Sequence, residues 1–145
     1  MYKHILVPVD GSKLSFKAVK AAAALADVTQ AKLTLFHAAP DYGGIYYSES
    51  PLLAAHYTSA SFRAAVGKHA QKILDAASRA AGREVETRHV LSEYPYDAIV
   101  RAATKLKCDL IVMASHGRRG IQGLLLGSET QKVLTHSKVP VLVVR

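Results

Sequence analysis

The 145-residue sequence predicts one α/β domain, an open, doubly wound sheet of five parallel strands with helices on both faces. Three observations carry that expectation. Short apolar runs rich in β-branched residues alternate with longer Ala-rich segments in a regular β-α order, and parallel neighbours need such crossovers. The stretch CDLIVMAS (108–115) is apolar nearly throughout, as expected of a parallel strand covered on both faces. The length suits a single core, burying roughly two-thirds of the surface the unfolded chain exposes.

HILVPV (4–9) is too short for a helix and reads as a buried strand ending at Asp10. Ser12 can cap the following segment, where Phe16, Val19, Ala23, Leu25 and Ala26 recur at helical spacing to about Val28. AKLTLFHA (31–38) alternates, then turns wholly apolar, and is strand two. PDYGGIYYSESP after it concentrates Pro, Gly, Asp and Ser and reads as a loop. From about Leu52 to Ala81 the amphipathic pattern, with Ala65, His69, Ile73, Ala76, Ala77 and Ala80 on it, predicts one long helix stopped by Gly82. Strand three follows from Val85 to Leu91. Pro95 suits the first turn of helix three, which keeps Ile99, Ala102, Ala103 and Leu106 on one face. Strand four is 108–115. Ser128, Glu129 and Gln131 form an S-x-x-Q capping box opening helix four, and Val139–Val144 is strand five.

Composition narrows the partners. The net charge of +8 raises nucleic acid, acidic membranes and polyanionic small ligands, yet Lys13, Lys17, Lys20, Arg63, Lys68, Lys72, Arg79, Arg101 and Lys105 are scattered along expected helices. With no basic block and no interleaved aromatic platform, they read as solvated helix faces, so neither nucleic acid nor membrane is expected as a partner. No apolar run approaches bilayer length and no charged-then-apolar leader opens the chain, so a cytoplasmic location is expected. The one cysteine, Cys108, has no disulfide or metal partner and reads as structural.

In an open α/β sheet, ligands lie beyond the carboxyl ends of the strands where the connections diverge, here beside strands one and four. MASHGRRGIQGLLLGS (113–128) falls there, with Gly117, Gly120, Gly123 and Gly127 between an apolar run and a helix start. Glycine admits close backbone approach and positive φ, and a helix N-terminus offers donors to an anion, so a phosphate is one reading; turn punctuation is the other. No lysine stands where a P-loop needs one, and the D-G-S after strand one is no dinucleotide fingerprint. Ser115, His116 and Asp10 lack the G-x-S-x-G elbow of a hydrolase, and none of the seven histidines has a paired metal-ligand spacing.

The segments ILVPVDGS, LTLFHA, LIVMASHG, LLLGS and VPVLVVR together resemble the universal stress protein family over essentially the whole chain. That family's nucleotide-binding branch carries G-2x-G-9x-G-[ST]; Gly117, Gly127 and Ser128 match it, while Ala114 stands at its first glycine. The resemblance implies an adenine nucleotide alpha hydrolase-like fold, with strand order 3-2-1-4-5, binding ATP with Mg²⁺ carried by the phosphates. It puts Pro8, Val9 and Asp10 at the adenine and ribose, Ala38 at the adenine, and Met113 and Ala114 beside the ribose. Gly117, Arg118, Gly127, Ser128 and Glu129 would surround the phosphates, with Ser115, His116, Gly120 and Thr130 in the same site. A non-glycine residue at 114 is tolerable if its φ is negative, as at a strand end.

Simpler roles compete for several of these residues. Asp10 can make an Asx turn into helix one, with or without a ligand. Glu129 is adverse beside a triphosphate unless Mg²⁺ intervenes or its side chain turns away. Arg118 and Arg119 offset it or are solvated loop charges, and the role of His116 is open. His37 reads as a satisfied core histidine, and Tyr42, Tyr46 and Tyr47 as a surface loop before a lid. Strand five would be an uncovered edge, which points to a two-fold homodimer pairing Val139–Val144, as in the family. The reading that results is an ATP-binding stress-response switch with no evident catalytic base. Its alternatives are an interaction module that has lost nucleotide binding, and a weak ATP hydrolase or phosphotransferase.

Overall fold

The structure, a computed structural model, describes residues 1–41, 50–117 and 126–145. They form β1 (His4–Pro8), α1 (Lys13–Thr29), β2 (Lys32–Pro40), α2 (Pro51–Thr58), α3 (Ala60–Ala81), β3 (Glu86–Ser92), α4 (Pro95–Lys105), β4 (Leu110–Ala114), α5 (Ser128–His136) and β5 (Val141–Val144). The five strands make one sheet ordered β3-β2-β1-β4-β5, every neighbour parallel, as expected. Tyr42, Tyr46, Tyr47, Arg118, Arg119, Gly120 and Gly123 lie outside the described residues.

The strands' two-residue period sorts the core into layers. Ile5, Val7, Val9, Leu33, Leu35, Leu110 and Val112 pack with Ala18, Val19, Ala22, Ile73 and Leu74 of α1 and α3. Leu6, Phe36, Ile111 and Met113 point the other way, against Ile99 and Ala103 of α4 and Val133 of α5. Cys108 is buried in that second layer, where desolvation raises its thiol to about 11, and it is structural as expected.

Two local expectations are corrected. The helix predicted from Leu52 to Ala81 is two helices, because Ser59 adopts extended backbone (φ −64°, ψ 148°) and its hydroxyl accepts the Phe62 N–H at 3.2 Å. A serine's hydroxyl satisfies a helix start better than it serves a helix interior. The S-x-x-Q box does not form either. Gly127 is the N-cap of α5, Ser128 is its first helical residue, and the Gln131 side chain donates instead to the Leu126 carbonyl at 3.2 Å. The start is set one residue earlier because the Gly127 N–H is bonded to the Ser115 carbonyl at 2.6 Å.

The fold also gathers charge. On α1, Lys13, Lys17 and Lys20 are exposed opposite the core, as are Lys68, Lys72 and Arg79 on α3. The two helices cover the same face of the sheet and end side by side, joined by the 2.8 Å Arg83–Asp27 ion pair. Residues scattered in sequence thus share one solvated layer.

Candidate functional site

The crevice lies at the carboxyl ends of β1 and β4, the neighbours at which the chain switches faces, α1 covering one side and α4 the other. Pro8 ends β1, opposite Phe36. Beyond it, the Val9 N–H donates to the Phe36 carbonyl at 2.8 Å, and the Val9 carbonyl accepts from His37 Nδ1 at 2.7 Å. With its side chain in the core, Val9 lines the crevice as backbone already bonded to β2. His37 is the satisfied core histidine expected, and burial holds its pKa below the ordinary 6.5. Asp10 makes the expected Asx turn, Oδ1 accepting the Ser12 N–H at 2.9 Å. Gly11 takes φ 83°, a conformation that favours glycine, and Ser12 caps α1 by accepting the Ser15 N–H at 3.1 Å.

From β4, the Ser115 N–H bonds the Val144 carbonyl at 2.8 Å. Its hydroxyl lies 3.1 Å from His116 Nδ1, yet Ser115 is only 2% exposed, beneath Gly127, so the pair does not present a nucleophile to a substrate. Gly117 runs directly past Asp10: a Cβ there would stand 2.5 Å from Asp10 Oδ2. A Cβ on Gly127 would stand 3.0 Å from His116 Cα and 3.4 Å from the Ser115 carbonyl. Neither glycine has positive φ. Close approach of backbone to a carboxylate and to backbone is what demands them, not left-handed conformation.

Ala114 closes β4 opposite Val144 with strand geometry and no positive φ, so the backbone at the motif's first glycine asks nothing that alanine cannot supply. Its carbonyl accepts the buried Thr130 hydroxyl at 2.9 Å, which ties α5 to the strand and makes Thr130 a clamp through its side chain. Met113 is buried in the α4 layer and Ala38 is half-buried on the same side of the sheet. The structure therefore brings Pro8, Val9, Asp10, Ser115, His116, Gly117, Gly127 and Ser128 to one end of the sheet, while Arg118 and Gly120 lie outside the described residues.

The Glu129 side chain turns away from its own helix start. Oε2 accepts the Tyr96 N–H of α4 at 2.9 Å and Oε1 meets Lys132 Nζ at 3.3 Å. The first turn of α5 thus keeps its N–H dipoles without a carboxylate of its own folded over them. Tyr96 and Lys132 are the site's neighbours that sequence reasoning missed; nothing in a pattern links Tyr96 to Glu129, 33 residues away, whereas the i,i+3 spacing of Glu129 and Lys132 was a local signal. Among the described residues, no group of three or more His, Cys, Asp or Glu could hold a metal ion. A groove of about 350 Å³ opens at the opposite end of the sheet, where Arg83 and Lys32 are each paired with a carboxylate.

Comparison with known proteins gives this crevice a context. The family model described as universal stress protein family matches residues 1–145. The universal stress protein YxiE of Bacillus subtilis is 35% identical over 152 residues, covering 100% of both chains. Among solved structures, the universal stress protein UspA of Lactobacillus plantarum superposes with a TM-score of 0.81 at 26% identity, covering 99% of this chain and 98% of that one. A universal stress protein in complex with cAMP matches with a TM-score of 0.65 at 31% identity, over 99% of this chain and 97% of that one. Sequence and fold agree along the full length, and the chain belongs to the universal stress protein family.

Proposed function

We propose that the chain binds ATP in the crevice between the ends of β1 and β4 and acts in the cytoplasm as a stress-response switch. The observation that carries this reading is the pair of glycines at which a side chain would crowd Asp10 or the His116 backbone, beside a helix start with no side-chain cap among the described residues. A solved relative at 31% identity that holds cAMP supports an adenine nucleotide as the ligand class.

The residues present fit such a ligand. The Glu129 charge is engaged by Tyr96 and Lys132, which lessens the main electrostatic objection to phosphates at α5. The described residues offer no metal-ligand cluster, so Mg²⁺ would travel on the phosphates, as is usual for that ion. With the Ser115 hydroxyl covered, a switch driven by binding is favoured over efficient hydrolysis. The four-residue β5, with Leu142 44% exposed, is the edge through which a homodimer would pair Val139–Val144.

The test is release of bound nucleotide on denaturation, followed by calorimetric titration of the emptied protein with ATP and Mg²⁺. Adenine nucleotide in the released fraction and heat of binding at millimolar ATP or below are expected. Silence in both would favour a nucleotide-independent interaction module instead. Phosphate release above background that disappears in Gly117→Val would identify a weak hydrolase.

A further inference from the structure

We propose that Glu129 couples occupancy of the crevice to the start of α4, a proposal that rests on the nucleotide reading above. Helix α4 begins poorly by its own means. Tyr94 at its N-cap has no side-chain cap bond among the described residues, and Pro95 has no N–H to give. The next donor, the Tyr96 N–H, is satisfied from another helix by Glu129 Oε2 at 2.9 Å, a charge-assisted bond. The other oxygen meets Lys132, whose ammonium lies 5.5 Å from the centre of the Tyr96 ring; that ring lies 5.0 Å from His136.

Glu129 is the second residue of α5, where an acidic side chain ordinarily faces its own helix's open N–H groups. Here it faces its neighbour's. Around it, Gly127 bonds the Ser115 carbonyl and Thr130 the Ala114 carbonyl. The first turn of α5 is thereby a junction of three tethers, to the loop after β4, to β4 itself and to α4. Phosphates arriving at this turn place negative charge beside the Glu129 carboxylate. Like-charge repulsion drives it toward Tyr96 and Lys132. Binding therefore tightens the start of α4, and the change reaches the surface at Tyr94, 61% exposed. By linkage, whatever holds the start of α4 raises affinity for the nucleotide by the same factor.

The experiment follows the Tyr96 amide of the ¹⁵N-labelled full chain by NMR during an ATP–Mg²⁺ titration, with calorimetry in parallel, in wild type, Glu129→Gln and Glu129→Ala. In wild type, heat of binding is expected together with a downfield move of the Tyr96 amide proton and about fivefold slower exchange with solvent. Both variants remove a like charge and are expected to bind ATP about threefold more tightly. The Tyr96 response shrinks in Glu129→Gln, which keeps an uncharged acceptor of the same shape, and vanishes in Glu129→Ala. Heat of binding in wild type with an unmoved Tyr96 amide overturns the coupling alone, as does an undiminished response in Glu129→Ala. Absence of heat in wild type overturns the nucleotide reading and the coupling with it.

Discussion

At the amino ends of the strands, polar groups satisfy one another; at the carboxyl ends, the chain is thinned to glycine. The Asp109 carboxylate accepts the N–H groups of Lys3 at 2.8 Å and His4 at 3.0 Å. His4 Nδ1 meets the Leu106 carbonyl at 3.1 Å and Nε2 the Thr34 hydroxyl at 2.8 Å, so one imidazole bolts the end of α4 to β1 and β2. Thr34 is wholly buried, and losing its partner would strand a polar group in the core. At the other end, Gly117 and Gly127 bring backbone against Asp10 and His116, and among the described residues no side chain caps the start of α5. At the amino end the polar groups are bonded to one another, including the Lys32 and Arg83 charges at the rim of its groove, and they contribute chiefly stability. At the carboxyl end the backbone itself comes to the surface of the site, which suits a ligand that approaches main chain.

Substitutions at the two ends should separate binding from stability. The largest effect is expected from Gly117→Val, whose side chain would meet the Asp10 carboxylate; ATP affinity measured by calorimetry should fall about a hundredfold, the worth of one charge-assisted hydrogen bond at its upper range. His4→Ala should do the reverse, lowering unfolding free energy in urea by about 1–3 kcal/mol for the stranded Thr34 hydroxyl while the remaining folded protein binds ATP as wild type does. A variant at either end that moved both quantities equally would break the comparison.

Acidification sharpens it further. Burial lowers the pKa of His4 and of His37 below the 6.5 of an exposed histidine, so the folded chain binds fewer protons than the unfolded one between those values. Their contribution is complete well above pH 6.5 and is lost as pH falls below that value toward the folded pKa values, so the urea midpoint should be nearly flat near pH 7.5 and drop as pH is lowered from about 6.5 to 5. His4→Gln should flatten part of that slope, leaving the part due to His37. The smallest effect is expected at the rim of the amino end. The Lys32–Glu86 pair is close at 2.7 Å, but both side chains are about half exposed, and Lys32→Ala should leave the midpoint within experimental scatter.

Much of this was legible before the chain was folded. HILVPV and CDLIVMAS read as buried strands, and so they are, but being apolar nearly throughout they do not say which residues face α1 and α3 and which face α4 and α5. The glycines were found from sequence, but the reason for them was not, since only the folded chain shows that Asp10 lies against Gly117. Ser59 sat within an Ala-rich helical pattern, where a serine is equally compatible with interior and cap, and the break was missed. Ser128 carried a good local capping signal that the Gly127 bond to Ser115 overrode.

By itself the sequence determined the order and type of the elements, the single core and the end of the sheet at which a site could open, because periodicity and turn chemistry act between residues a few positions apart. Tertiary structure alone decided which carboxylate faces which helix, what a side chain at either of two glycines would crowd, and that lysines scattered along two helices share one face. Those outcomes depend on contacts across 28 residues for His37 and Val9, 33 for Glu129 and Tyr96, and 105 for Asp109 and His4, distances in sequence over which no local pattern carries information.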